Sequence, residues 1–126
     1  MTVAEIKKLT MFQTNNDESD VALFEPHLNV YINEGYEKLV WAWAEKHLGD
    51  EGYPRLSQAM DEPKVPERAH KAIADYASWM ILRTGNAARQ SRGAQFLRDF
   101  GEAEYLLRCD GGIAGKDLKH FRNIPD

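Results

Sequence analysis

The sequence predicts an all-α protein, a small bundle of about four helices built on a long helical hairpin. Apolar residues recur at three- and four-residue steps through most of the chain, which is the helical period. The strongest such region covers residues 65–108 and is divided at Gly85 and Asn86, which suit the end of one helix and the N-cap of the next. Pro66 and Glu67 mark the beginning of this hairpin, because proline and an acidic residue both favour a first helical turn.

The first helix of the hairpin is apolar on nearly every side. Between Tyr76 and Leu82, Ser78 is the only polar residue. Such a helix requires burial all round, either as the central element of a bundle or as part of a subunit contact. Its helically spaced apolar residues are Ala69, Ala72, Ile73, Tyr76, Ala77, Met80 and Ile81.

The second helix of the hairpin carries an apolar stripe with two glycines on the same face. Gly93 and Gly101 lie four residues before and after Leu97. A glycine in a helix interior costs about 1 kcal/mol relative to alanine, so we expect both to allow close approach of the partner helix near Ala72 and Ala77. The expected stripe consists of Ala94, Phe96, Leu97, Phe100, Ala103, Leu106 and Leu107.

Two further helices are predicted in the first half of the chain. Thr2 and Glu5 form a capping-box pattern that opens a short helix ending near Phe12. A second helix, with Asp20 as a candidate cap, extends to about residue 48. Proline inside a helix costs about 3 kcal/mol, so we expect the regular helix to begin at Pro26, with residues 21–25 forming a separate turn.

The hairpin is flanked by a long connection and a C-terminal arm. Residues 49–64 contain glycine, prolines and acids, and we expect Leu56 and Met60 to attach this loop to the core. Glycines at 111, 112 and 115 predict a break after Arg108, which divides the chain into a bundle domain (1–109) and an arm (110–126). The apolar residues of the arm either dock on the chain's own bundle or reach a neighbouring subunit; they are Leu118, Phe121 and Ile124.

Composition narrows the class of protein. The chain has 126 residues and a net charge of −4, which suits one soluble domain and argues against nonspecific nucleic-acid binding by the whole monomer. Its one cysteine, Cys109, cannot form an internal disulfide, so a reducing cytoplasmic setting is expected. No apolar run reaches the roughly 18 residues of a membrane span, and the N-terminus lacks the apolar centre of a signal peptide.

No catalytic or metal-binding motif is recognisable. The four histidines have no partner at metal-ligand spacing, and neither HExxH, CxxC nor a phosphate-binding glycine loop occurs. Cys109 has Arg108 beside it, which would suit a reactive thiol, but its closeness to Leu106 and Leu107 favours a small apolar filler. We therefore expect no enzymatic activity, no cofactor and no metal.

Trp41 does not belong to the apolar stripe of its helix. Its neighbours one turn away include Glu37, Lys38 and Glu45, which form a mostly charged face. An exposed tryptophan in such a place suggests a protein contact, because aromatic residues anchor interfaces. Alternatively, Trp41 lies beneath an adjacent loop.

A local positive patch interrupts this acidic chain. No acidic residue occurs between Ala77 and Leu97. The patch is either a solvated face balanced by an acidic neighbour, or a surface that meets the phosphates of DNA. If several copies of the chain formed a ring, the repeated patches would concentrate their electrostatic field, which the net charge of one monomer hides. We call it the basic patch, and its residues are Arg83, Arg89, Arg92 and Arg98.

The sequence resembles the head–tail connector (adaptor or neck) proteins of tailed bacteriophages. One part of the resemblance is NDESDVALF at residues 16–24 followed by LNVYINEGYEKLV at residues 28–40. The other is VPERAHKAIADYA at residues 65–77, continued by RTGNAAR and then FLRDF at residues 96–100. In such proteins a helix opens after a short acidic turn, and a later helix pair rich in Ala and Tyr is broken by a Gly-Asn or similar turn.

The resemblance implies a structural virion protein that assembles as a homo-oligomeric ring around the DNA channel. Its partners would be the portal protein and a tail or stopper protein, and it would be found in the host cytoplasm during assembly. Trp41 and the 49–64 loop are then candidates for subunit or tail contacts, and Leu118, Phe121 and Ile124 for holding the portal. The free protein is expected to be monomeric if the ring forms only on its template.

A second interpretation, from another class, is a small helical DNA-binding or regulatory protein that uses the basic patch. It would bind DNA as an isolated protein and with a strong dependence on salt.

Overall fold

Four α-helices form the structure, a computed structural model that describes residues 1–16, 21–44 and 55–112. They are α1 (Val3–Gln13), α2 (Val21–Ala44), α3 (His70–Leu82) and α4 (Ala87–Gly112), and a short 3₁₀ helix, Glu67–Ala69, leads into α3. The described residues contain no β-strand. The prediction of an all-α protein with about four helices is confirmed.

α1 begins with the predicted capping box. The Thr2 hydroxyl accepts a hydrogen bond from the Glu5 amide at 3.2 Å, and the Glu5 carboxylate accepts one from the Thr2 amide at 2.9 Å. The bonds from Thr2 also hold the pKa of the Glu5 carboxyl below its ordinary value. α1 ends at Gln13, one residue beyond the expected Phe12.

α2 corrects the prediction that a regular helix begins at Pro26. The helix already begins at Val21 and carries Pro26 in its second turn. Pro26 is the sixth residue of the helix and lies beyond the first amides, which have no partner within it, so the helix loses one internal hydrogen bond at the proline. Pro26 is exposed, so its ring displaces no core residue. The expected continuation to residue 48 lies outside the described residues.

α3 is the central helix and contacts the other three. Its residues from Ala72 to Ser78 are all buried. In the stretch from Tyr76 to Leu82, which the sequence predicts to be buried on every side, residues 79–81 are only half-buried. Tyr76 lies where α3 crosses α2, because a Cβ added to Gly35 would come within 3.1 Å of the tyrosine side chain. The fully buried side chains around α3 include Ile6, Leu28, Ile32, Leu39, Ile73 and Leu107.

α3 and α4 run antiparallel. Gly93 packs against Leu82, whose Cβ would lie 3.0 Å from an added glycine Cβ, and Phe100 packs against Tyr76 with ring centroids 5.1 Å apart. Later residues of α4 therefore meet earlier residues of α3. Close approach is confirmed at Gly93, although its neighbours are Leu82 and Trp79 rather than Ala72 or Ala77.

The turn between α3 and α4 differs from the prediction at Gly85. The cap of α3 is Arg83, in right-handed helical conformation, and Gly85 does not cap the helix. Gly85 is needed for space instead, because an added Cβ would lie 2.7 Å from the side chain of Arg89. Asn86 is the N-cap as predicted, and its side-chain oxygen accepts a hydrogen bond from the Arg89 amide at 3.0 Å.

The outer face of α4 corrects three further predictions. Gly101 is exposed and a Cβ there would meet no atom within 4 Å, so the expected close approach is absent among the described residues. Leu97 and Leu106 are 37% and 51% exposed and do not belong to the core. The helix also continues through residues 111 and 112 instead of ending at Arg108, because glycine weakens a helix without forbidding it.

A buried polar cluster joins α1 to α3. The amide nitrogen of Gln13 donates to a carboxylate oxygen of Asp75 at 3.0 Å, and its oxygen accepts from Ser78 at 2.6 Å. Lys71 donates to both oxygens of Asp75, at 2.9 and 3.1 Å. Burial raises the pKa of the Asp75 carboxyl, although the bonds from Lys71 and Gln13 oppose the rise.

The described part of the predicted long loop is attached to α2 through Asn33. This buried amide donates to the Leu56 carbonyl at 3.0 Å and accepts from the Leu56 amide at 2.8 Å. Leu56 is buried, as expected for an attachment point. Met60 is 78% exposed, so the prediction that it also reaches the core is wrong. Residues 49–54 lie outside the described part.

The same segment covers the beginning of α1. The amide of Val3 donates to the carbonyl of Asp61 at 2.9 Å, and that of Ala4 to the carbonyl of Ala59 at 3.0 Å. These are amides that a helix cannot satisfy within itself. With the capping box, every backbone donor of the first turn of α1 has an acceptor.

Candidate functional site

Trp41 lies on the exposed side of α2, with its side chain 71% exposed. Val30, Glu34 and Glu37 share that side, since they precede Trp41 by eleven, seven and four residues, which are helical repeats. We call these four residues the α2 outer face. Neither carboxylate forms an ion pair with a described residue. Of the two interpretations that the sequence left open, Trp41 is therefore exposed rather than covered, and its role in a protein contact stays a prediction.

An open cleft of about 460 Å³ separates the α2 outer face from α3. Glu34, Glu37, Lys38 and Trp41 line one side, and Tyr76 lies opposite them. The Tyr76 hydroxyl donates a hydrogen bond to a carboxylate oxygen of Glu34 at 3.1 Å. The cleft thus combines an indole and two carboxylates with the ammonium group of Lys38, and the indole and carboxylates are groups that suit a positively charged side chain.

The pKa of the Tyr76 hydroxyl is raised well above its ordinary value. Burial, together with the nearby Glu34 carboxylate that accepts its proton in a hydrogen bond, raises the pKa of Tyr76 to about 12. Burial and the negative charge both disfavour a phenolate at this position. The hydroxyl therefore acts as a hydrogen-bond donor that holds Glu34 in place, and it is not poised for acid–base chemistry near neutral pH.

Raising the pH from about 10 to about 12 is expected to destabilise the protein through Tyr76. An unfolded tyrosine ionises near 10, whereas the folded one does so near 12, so its stabilising contribution is complete below about 10 and is lost as pH rises through about 12. Tyr76→Phe should remove this part of the alkaline loss. Urea unfolding of both proteins across this range, with tyrosinate absorbance as a second readout, checks it. Equal slopes in the two proteins would contradict it.

The basic patch is solvent-exposed at all four arginines. Arg98 donates to the Gln95 side-chain oxygen at 2.6 Å, and the side chain of Arg89 lies against Gly85 at the turn. None of the four forms an ion pair with a carboxylate in residues 1–16, 21–44 or 55–112. The patch is thus free to meet an acidic protein surface or a phosphate, which are the two interpretations that the sequence left open.

The described histidines have structural roles. His70 is buried, and its two ring nitrogens lie 2.9 Å from the Val65 carbonyl and from the amino group of Met1. His27 stacks on Tyr31 with ring centroids 6.1 Å apart. Within the described residues there is no group of three or more side chains that could hold a metal ion. Nor is any helix there both long and apolar enough to span a membrane.

Other large apolar side chains are exposed although the sequence did not predict their exposure. Phe12 and Met60 are each 78% exposed, and Tyr105 is 65% exposed. The exposure of Tyr105 could have been predicted as that of Trp41 was, because Tyr105 also lies off the buried stripe of its helix. The exposure of Met60 follows from the path of its loop, which carries no sequence signal. The arm candidates Leu118, Phe121 and Ile124 lie outside the described residues.

No protein-family model, no curated protein and no solved structure matches the chain. Its function therefore has to be inferred from its own surfaces.

Proposed function

We propose that this protein is a structural subunit of a bacteriophage head–tail connector. Copies of the chain would form a ring around the DNA channel and join the portal of the head to a tail or stopper protein. The observation that carries the proposal is the exposure of Trp41, on a charged face of a helix, in a chain whose core is otherwise well satisfied. An exposed tryptophan of this kind is typical of interface anchors.

The core of the bundle is complete without the exposed apolar residues, which supports the interpretation that they serve assembly with other chains. Within the described residues, every buried side-chain nitrogen and oxygen has a hydrogen-bond partner. Ile6, Leu28 and Leu39 are 0% exposed, so the exposed apolar residues occur beside a fully buried core. Several lie on the outer sides of α2 and α4, where a neighbouring chain has access to them; they are Val30, Trp41, Leu97, Tyr105 and Leu106.

The charge distribution suits a ring that surrounds DNA. The chain is acidic as a whole, with a net charge of −4, yet the basic patch is exposed and carries no acidic residue between Ala77 and Leu97. Repeated around a channel, such patches would offset the repulsion between an acidic ring and DNA phosphates. The proposal assigns the protein no catalytic role, and places it in the virion and, during assembly, in the host cytoplasm.

Decoration of portal rings tests the connector role. We expect the protein to bind rings of the portal encoded by the same genome in stoichiometric amounts, visible by electron microscopy. Trp41→Ala should weaken that binding by at least about tenfold, as removal of an anchoring aromatic does. Its melting temperature should stay close to that of the wild type, because the side chain is exposed. Undecorated portal rings in the presence of the wild-type protein would refute the proposal.

The second candidate, a DNA-binding or regulatory protein, is favoured by the four exposed arginines alone. It requires a complex between the isolated protein and duplex DNA that weakens steeply with salt. A gel shift at low salt decides this, with Arg89→Gln/Arg92→Gln as the variant that should lose the complex. No shift with the wild-type protein would remove this candidate.

A further inference from the structure

Gly101 has no explanation within the described fold. It lies in the interior of α4, where glycine is the least favourable residue after proline. Gly35 and Gly93 are each explained by a packed neighbour, at 3.1 and 3.0 Å from an added Cβ. An added Cβ at Gly101 meets nothing within 4 Å. A glycine on an open helix face leaves space for a group from outside the chain to approach the backbone closely.

The surroundings of Gly101 form a shallow apolar notch. Leu97 and Tyr105 lie one turn before and after it on the same side of α4, and they are 37% and 65% exposed. We call these three residues the Gly101 notch. Arg98 is exposed next to it and makes no ion pair with a described carboxylate. Glu102 and Glu104 lie one and three residues after Gly101, and Glu104 forms an ion pair with Arg108 at 4.0 Å. The notch therefore offers two apolar walls, an open backbone and, in Arg98, a positive charge that no described carboxylate pairs with.

The α2 outer face has the complementary features. Trp41 projects from it with 71% of its surface exposed. Glu37 and Glu34 follow at one and two turns from the indole, and neither has a cationic partner among the described residues. Lys38 is exposed beside them, so two carboxylates stand against one ammonium group and the charge on this side of α2 is negative on balance. This face supplies a bulky projecting aromatic group and negative charge, where the notch supplies a recess and the positive charge of Arg98.

We propose that Trp41 of one copy packs into the Gly101 notch of a second copy. In this contact the indole lies between Leu97 and Tyr105, and Arg98 is within reach of the carboxylates on the partner's α2 outer face. The inference rests on the proposed function, since it names the contact by which one subunit would hold the next.

Charge and position favour a second copy over other occupants. The carboxylates of the α2 outer face attract Arg98 beside the notch, whereas they would repel DNA. The two surfaces also lie on different helices, so one chain can offer its tryptophan to one neighbour and its notch to another. A contact between different surfaces can repeat from copy to copy, which a ring requires.

Gly101→Leu fills the notch and tests the contact without removing any packed atom. We expect concentration-dependent shifts of backbone amide NMR signals in residues 30–41 and 97–105 of the wild-type protein up to millimolar concentration. Gly101→Leu should weaken this self-association by at least about tenfold, while its melting temperature does not fall. Ala88→Leu adds the same side chain at another exposed position of α4 and should leave the association unchanged.

Charge reversal identifies the two surfaces as partners. Glu37→Arg and Arg98→Glu should each weaken self-association by about tenfold, because like charges then face each other across the contact. An equimolar mixture of the two variants should regain the association, since each reversed face meets an opposite charge on the other variant. Two impaired variants that do not rescue each other would overturn the pairing.

Other outcomes separate this contact from the connector role. Wild-type protein without concentration-dependent shifts on either surface overturns the inference, even if portal rings are decorated. If the NMR signals of residues 113–126 differ between dilute Gly101→Leu and dilute wild-type protein, the chain's own arm occupies the notch. That result would also overturn the inference. Self-association that follows the predicted pattern, without decoration of portal rings, would sustain the contact and refute the connector role.

Discussion

Leu107→Ala is expected to lower the free energy of unfolding by about 2–5 kcal/mol, whereas Leu106→Ala should lower it by less than about 1 kcal/mol. The two leucines are neighbours on α4, but Leu107 is 1% exposed and belongs to the core, and Leu106 is 51% exposed. Truncation at Leu107 removes buried methyl groups and leaves a cavity. The same truncation at Leu106 removes atoms that already contact water.

This pair tests the orientation of α4 directly. Urea unfolding of the two variants and the wild type gives the free energies of unfolding. Both substitutions replace leucine with alanine at adjacent positions of α4, so their effects on helix propensity are equal and cancel in the comparison. Equal losses in the two variants, or a larger loss at Leu106, would mean that α4 presents a different side to the bundle.

Gln13→Glu should cost about 2–4 kcal/mol at neutral pH, the second large effect. The substitution keeps the shape of the side chain but replaces the donor to Asp75 with a second carboxylate. Asp75 is 3% exposed and the original contact is 3.0 Å long, so two negative charges would meet in a buried site. The bond from Ser78 survives, because glutamate can still accept it.

The cost of Gln13→Glu should shrink as the pH falls. The pKa of Asp75 is already raised by burial, and a second carboxylate raises the affinity of the pair for one shared proton. A group whose folded pKa lies above its unfolded value of about 4 stabilises the fold below that value and loses the effect as pH rises through the folded pKa. Denaturant unfolding near pH 4 and at pH 7 measures the difference.

Gln95→Glu is the matched control for that substitution. Gln95 also donates to an aspartate, Asp99, at 3.1 Å, but it does so on the exposed side of α4 beside Arg98. Water and salt screen the added charge there, so the change in stability should be below about 0.5 kcal/mol at either pH. If the two glutamate variants behave alike, the buried cluster between α1 and α3 is not as described.

Local patterns in the sequence were sufficient for the helices and their capping residues. The period of three and four residues identified α3, and the roles of Thr2, Glu5 and Asn86 followed from their spacing alone. The prediction for Pro26 was wrong because α2 tolerates the loss of the one backbone hydrogen bond that this exposed proline cannot make. The extension of α4 past Arg108 was missed because two adjacent glycines indicate a weak helix as readily as a break.

The candidate surfaces were harder to predict because burial depends on tertiary contacts. Leu97 and Leu106 fit an apolar stripe, yet the bundle leaves them exposed, since α4 meets its partners along a narrower line through Gly93, Phe100 and Leu107. Nothing in the sequence separates Gly93, which is packed, from Gly101, which is open. Trp41 was identified because its surroundings on the helix are charged, a signal that periodicity does carry.

The way the 55–66 segment covers α1 couples two parts of the chain that are distant in sequence. The amides of Val3 and Ala4 have their acceptors on that segment, and the segment is itself held to α2 by Asn33 at Leu56. Departure of the segment would leave the amides of Val3 and Ala4 without acceptors, although the capping box would still satisfy those of Thr2 and Glu5. Loss of the segment would therefore weaken the first turn of α1. A partner that binds the exposed Met60 and displaces this segment would therefore also destabilise the beginning of α1.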